Sequence, residues 1–130
     1  MPNLTLSLLN TPYAVCRLAP ETPVEPLPPG AFSLLVRASD ETTLVCPEAN
    51  APAGAEVDPG WRCFRIEQSF GFETPGILAS VLGPLAEAGI GIFATSTFST
   101  DYVLVKAGQV VQAIKAMARA GHRIAKEEAS

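Results

Sequence analysis

Residues 62–70 of the chain, Arg-Cys-Phe-Arg-Ile-Glu-Gln-Ser-Phe, alternate apolar and polar positions. That is the two-residue period of a strand with one buried face. The period then changes. Ile77, Leu78, Val81, Leu82, Leu85 and Ala88 recur at helical spacing. Thr74 offers an N-cap side chain and Pro75 suits the first helical position. Gly89 is a stop signal. Residues 90–98 are β-branched and aromatic, hence a strand. Ser99 and Thr100 make a short turn, and 102–106 form the returning strand. Gly108 opens a second helix with Val110, Val111, Ile114, Met117 and Ala118 on one face, and Gly121 ends it. Residues 122–125 read as a last short strand and 126–130 as a frayed tail. Pro84 lies inside the first helical pattern, where a missing amide can cost ~3 kcal/mol, so a kink is expected there.

The first half is written differently. Ten of the twelve prolines precede Trp61. Short apolar runs at 4–9, 13–18, 32–38 and 42–46 read as strands bounded by turn residues. Residues 20–30 hold five prolines and no helical period, which predicts a structured loop. Residues 49–60 are polar and rich in Pro and Gly, the expected link between a subdomain at 1–60 and a domain at 61–130. From residue 61 the order is strand–helix–strand–strand–helix–strand. This is the ferredoxin-like α+β arrangement, with helices on one face of an antiparallel sheet.

Composition narrows the classes of function. With 130 residues, 48% of them apolar, the chain can bury a sizeable core. A net charge of −4 and the lack of any Lys/Arg run exclude the basic face that nucleic acid needs, and disfavour an anionic membrane surface. No apolar stretch approaches the roughly 18–20 residues of a membrane span. The N-terminus lacks the positive start of a signal peptide and reads as a strand. Cys16, Cys46 and Cys63 are odd in number and widely spaced, which suits reduced, buried thiols in the cytoplasm.

Catalytic chemistry finds no footing. The single histidine, His122, stands beside a helix end, where a solvated or capping role outweighs that of a base. Cys63 sits mid-strand with no cation arranged to make a thiolate. The serines of 96–100 lack an evident base. Residues 71–76 have neither the lysine nor the spacing of a phosphate loop. No cluster has metal-ligand spacing, so neither a metal nor a cofactor is expected.

Two segments look made for binding. At 70–76 a turn precedes a helix start, whose free amides and partial positive charge attract a carboxylate or phosphate. Gly71 and Gly76 would admit a ligand close to the backbone, or they serve only to shape a tight turn. At 94–101 a hydroxyl-rich hairpin ends on Asp101. That carboxylate could pair with an ammonium or guanidinium group, or cap the turn. Phe98 could wall the site or belong to a core. Asp101 and the helix start together would hold both ends of a zwitterion.

At these residues the sequence resembles the ACT domain family, and within it the CASTOR/aspartate-kinase-type ACT proteins. The resemblance is carried by Gly60-Trp-Arg-Cys63, Thr74-Pro-Gly-Ile-Leu-Ala-Ser-Val-Leu82, Pro84-Leu-Ala-Glu-Ala-Gly-Ile-Gly-Ile-Phe93 and Ser96-Thr-Phe-Ser-Thr-Asp-Tyr-Val-Leu-Val105. It is strong over about 61–124. The first half resembles a degenerate, Pro-rich ACT-like unit through Tyr13-Ala-Val-Cys-Arg-Leu18 and Leu44-Val-Cys-Pro47. The resemblance thus implies two ferredoxin-like subdomains. It also implies allosteric sensing of an amino acid rather than catalysis. By that likeness Gly71, Phe72, Glu73, Thr74, Gly76 and Ile77 would meet the ligand's carboxylate end. Thr97, Phe98 and Asp101 would surround the rest, with Asp101 on the amine. ACT domains pair and bind amino acids between them, so a homodimer is the expected assembly. The competing reading is an ACT-like dimerisation or protein-interaction module that takes no ligand.

Overall fold

The computed structural model describes residues 3–69 and 73–128. Eight strands, β1 (Thr5–Leu9), β2 (Tyr13–Leu18), β3 (Leu34–Arg37), β4 (Thr42–Pro47), β5 (Glu56–Ile66), β6 (Phe93–Ser96), β7 (Asp101–Lys106) and β8 (Arg123–Glu128), form one sheet. Two α-helices, α1 (Ile77–Glu87) and α2 (Val110–Arg119), interrupt the second half. Short 3-10 turns lie at 48–50 and 107–109.

The 11-residue β5 organises the sheet. Strands β1 and β2 follow one another along one of its edges, with Leu8 opposite Phe64 and Tyr13 opposite Trp61. β7 runs antiparallel along the other edge, from Trp61 opposite Lys106 to Arg65 opposite Tyr102. β4 and β3 extend outward from β2. β6 closes a hairpin on β7. β8 joins β1 in parallel. The strands around the helices therefore run β8-β1-β5-β7-β6, with β1 from the first half inserted between the first and last strands of the second.

Alternation decides which face carries the helices. Leu4, Leu6 and Leu8, Phe64 and Ile66, and Val103 and Val105 point to one side and pack with Ile77, Val81, Leu85, Ala113, Ala116 and Met117. The intervening Leu9, Cys63, Tyr102 and Leu104 face the other side. There Phe32, from the loop before β3, stacks on Tyr102 at 4.3 Å between ring centroids. A third cluster, Ala14, Cys16, Leu44 and Cys46, is covered by Val24, Ala51 and Ala55. The α+β class, the helices on one face and the four strands of the first half agree with the sequence reading.

Boundaries move where composition misleads. β5 starts at Glu56, so residues 56–60 are strand and not link. Arg17 lies opposite Glu56 and forms an ion pair with it. β5 ends at Ile66, short of the expected 70, and Phe70 lies outside the described residues. β6 covers four residues of the expected nine. Residues 126–128, expected as a frayed tail, continue β8 alongside β1. α1 starts two residues after Pro75, and its N-cap is Gly76 at φ 82°, with no side-chain cap. Thr74 therefore does not cap it.

Both helices stop as read, at glycines in the left-handed region, Gly89 at φ 76° and Gly121 at φ 97°. Each is part of a Schellman turn. Ile90 N–H donates to Leu85 O and His122 N–H to Met117 O, both at 3.0 Å. α1 runs on through Pro84. His122 is buried and not solvated.

Candidate functional site

The two segments singled out in the sequence meet. A cleft of about 230 Å³ opens between the start of α1 and the β6–β7 hairpin. One wall is Thr74, Gly76, Ile77, Leu78 and Ala79; the other is Ser96 through Asp101.

The helix wall is polar because of how α1 begins. Gly76 turns the chain through the left-handed region, and Ser80 N–H donates to Gly76 O at 3.0 Å to close the first turn. The amides of the first turn lie ahead of the helix's own ladder, and the N-cap residue gives them no side-chain bond. They concentrate the positive end of the helix dipole on the cleft. Alanine at position 76 would meet nothing within 4 Å of its new Cβ. Its cost is backbone strain alone, so Gly76→Ala should lose about 1–2 kcal/mol, and Gly76→Asn less. Urea midpoints of the three proteins check both values.

The hairpin wall is held by its own hydroxyls. Thr97 N–H donates to Thr100 O at 2.8 Å. Thr100 Oγ1 lies 2.6 Å from Ile66 O and 3.2 Å from Gln68 O, tying the turn to the end of β5. Ser69 Oγ donates to Ser99 O at 3.1 Å. Ser96, paired in register with Asp101, donates its hydroxyl to Asp101 Oδ1. Asp101 keeps its second oxygen for another donor, and no described lysine or arginine forms an ion pair with it. Phe98 stands at the turn, 86% exposed. The cleft thus has a donor-rich, positive wall facing a wall of hydroxyls with one carboxylate. Such a pair suits a small molecule carrying both a carboxylate and an amine.

Six of the nine site residues read from the sequence line this cleft: Thr74, Gly76, Ile77, Thr97, Phe98 and Asp101. Glu73 is exposed in the preceding turn and does not line it. Gly71 and Phe72 lie outside the described residues. Leu78, Ala79, Ser96, Ser99 and Thr100 line the cleft and were not singled out as site residues. The hydroxyl-rich 94–101 run had already marked three of these. Leu78 and Ala79 carry no signal beyond their place in the first helical turn.

The remaining reactive groups stand elsewhere. Cys63 is fully buried, and burial pushes its thiol up to about 12. Among the described residues no group of three His, Cys, Asp or Glu could hold a metal ion. No described helix is long and apolar enough to cross a membrane.

Known proteins share this architecture. The ACT domain model matches residues 56–119. The crystal structure of protein Atu0741 from Agobacterium tumefaciens superposes with a TM-score of 0.91 at 36% identity, over 98% of this chain and 96% of that one. The regulatory subunit of aspartate kinase from Thermus thermophilus shares the fold, with a TM-score of 0.68 at 14% identity over 92% of this chain and 99% of its own. The human cytosolic arginine sensor for mTORC1 subunit 1 is 40% identical over 60 residues, 45% of this chain. That match spans only 18% of the sensor's length. From residue 56 the described elements run β5-α1-β6-β7-α2-β8, strand–helix–strand–strand–helix–strand, and residues 56–119 belong to the ACT domain family.

Proposed function

We propose that the protein is a non-catalytic regulatory protein that binds an amino acid in the cleft between α1 and the β6–β7 hairpin. The observation that carries this reading is the pairing of opposite polarities across one small cleft. The uncapped first turn of α1 faces Asp101, whose carboxylate is held by Ser96. The ligand's carboxylate would take the amides of Ile77–Ala79, and its ammonium the free oxygen of Asp101. Thr97 and Phe98 would border its side chain. Glu73 belongs to the approach turn in this reading, and Gly71 and Phe72 lie outside the described residues. Among the described residues the cleft lining offers hydroxyls and one carboxylate and no histidine, cysteine or lysine, which supports binding over catalysis.

The ligand unit spans 61–130, and 1–60 brace it through β1 to β4. The resemblance to arginine-sensing and aspartate-kinase regulatory proteins supports an allosteric role in the cytoplasm. A second copy of the chain closes the open side of the cleft, making the working unit a homodimer.

Ligand binding stabilises the folded state by mass action. At 100 times Kd the gain is about 2.7 kcal/mol, or roughly 5–10 °C in Tm. Melting the protein with each common amino acid should give that shift with at least one of them. Asp101→Ala should remove the shift while leaving the unliganded Tm near its starting value. Melting curves indifferent to every amino acid would favour the ligand-free interaction module instead.

A further inference from the structure

A proline inside a helix removes the amide that would serve the carbonyl four residues earlier. In α1 that carbonyl belongs to Ser80, because residue 84 is the proline. His122 Nε2 lies 2.8 Å from it. Both residues are buried, so no solvent stands by to replace the contact. The second ring nitrogen is engaged too, since Leu4 N–H reaches Nδ1 at 3.1 Å. A backbone amide can only donate. Nδ1 is therefore the acceptor, and Nε2 carries the hydrogen that goes to Ser80 O.

One imidazole thus joins three elements. His122 follows Gly121 in the turn that ends α2. Leu4 leads into β1, and the next residue, Arg123, donates back to Leu4 O at 2.8 Å. Ser80 belongs to the first turn of α1, with its amide on Gly76 O and its hydroxyl on Ile77 O at 2.7 Å. Those two residues are part of the cleft wall. With alanine at 84 the helix would close on itself, and Ser80 O would need no partner from elsewhere. Proline leaves that carbonyl to a group from another element.

We propose that His122 is a positioning residue for the cleft: it stands in for the amide that Pro84 removes, and so sets where the first turn of α1 lies against the sheet. The proposal concerns the wall of the cleft and holds whatever molecule the cleft takes.

A double-mutant cycle on the full chain tests it. His122→Ala leaves Ser80 O and Leu4 N–H both unsatisfied, and should lower Tm by about 10 °C. In the Pro84→Ala background the restored amide serves Ser80 O, and the same substitution should cost about half as much. Exchange of the 77–81 amides should quicken on the order of tenfold with His122→Ala and slow again in the double variant. If His122→Ala fails to fold, two milder variants replace it. His122→Gln keeps a donor near the Nε2 position and should lose less than His122→Asn, and that difference should vanish in the Pro84→Ala background. Nitrogen-15 spectra of the wild-type imidazole should show hydrogen on Nε2 and none on Nδ1. Equal losses in the two backgrounds, or a hydrogen on Nδ1 alone, would overturn the proposal.

Discussion

Replacing Phe64 with alanine is expected to cost about 3–5 kcal/mol and to melt both halves of the protein together. Phe64 is fully buried near the middle of the helix-facing core. Its neighbours in register are Leu8 on β1 and Val103 on β7, so the cavity would open between three strands and the helices above them. Small domains hold only about 5–15 kcal/mol in total, so the loss takes a large share. The halves cannot part because β5 belongs to both: residues 56–61 pair with β2, while 64–66 pair with β1. Trp61, the single tryptophan, sits where β2, β5 and β7 meet and reports on the junction. Its fluorescence and the far-ultraviolet circular dichroism should fall in one coincident transition, in the variant as in the wild type. Two separated transitions would mean that the shared strand does not couple the halves.

Raising the pH above about 9 should also weaken the fold substantially. An unfolded cysteine ionises near 9, whereas burial holds the Cys63 thiol neutral up to about 12. Burial, and then the neighbouring Cys16, push Cys46 up to about 11. Burial raises Cys16 as well. These groups lose protons more readily in the unfolded chain. Their contribution is therefore complete below about 9 and disappears as the pH climbs through the folded-state values. Cys63 alone accounts for roughly 3 kcal/mol by pH 11. Urea midpoints at pH 8, 9.5 and 11 should fall steeply in the wild type. Cys63→Ala starts lower, because it leaves a small cavity, but it should decline more gently. Parallel declines would show that Cys63 does not drive the loss.

Much of this architecture is legible in residue order because the forces that set it are local. Tyr13–Leu18 was read to the residue, since its apolar run ends on a charged and proline-rich loop. Gly89 and Gly121 mark both helix ends because only glycine enters the left-handed region at so little cost. Errors arise where distant residues decide. Glu56-Val-Asp-Pro-Gly60 has the composition of a turn, yet it is strand because β2 offers it a ladder and Arg17 an ion pair. Nothing local to Thr5–Leu9 says that it lies between β5 and β8. Thr74 has the chemistry of an N-cap, but Gly76 turns the chain before the helix can start there. Of the cleft, the side chains with chemistry of their own were legible. The contribution of Leu78 and Ala79 comes from their position in the first turn, which is invisible in residue type. The sequence suggests a solvated or capping role for His122, and the residue is buried instead. Its burial and its service to Ser80 depend on a proline 38 positions earlier and on a strand at the other end of the chain.

In the proposed function one cleft holds the two charged ends of an amino acid. Backbone amide spectra recorded while an amino acid that raises Tm is titrated in test it most directly. Saturable shifts should concentrate at Ile77, Leu78 and Ala79 on one wall and from Ser96 to Asp101 on the other, both lost in Asp101→Ala. Saturable shifts that map elsewhere, or a spectrum unmoved by every amino acid, would contradict it.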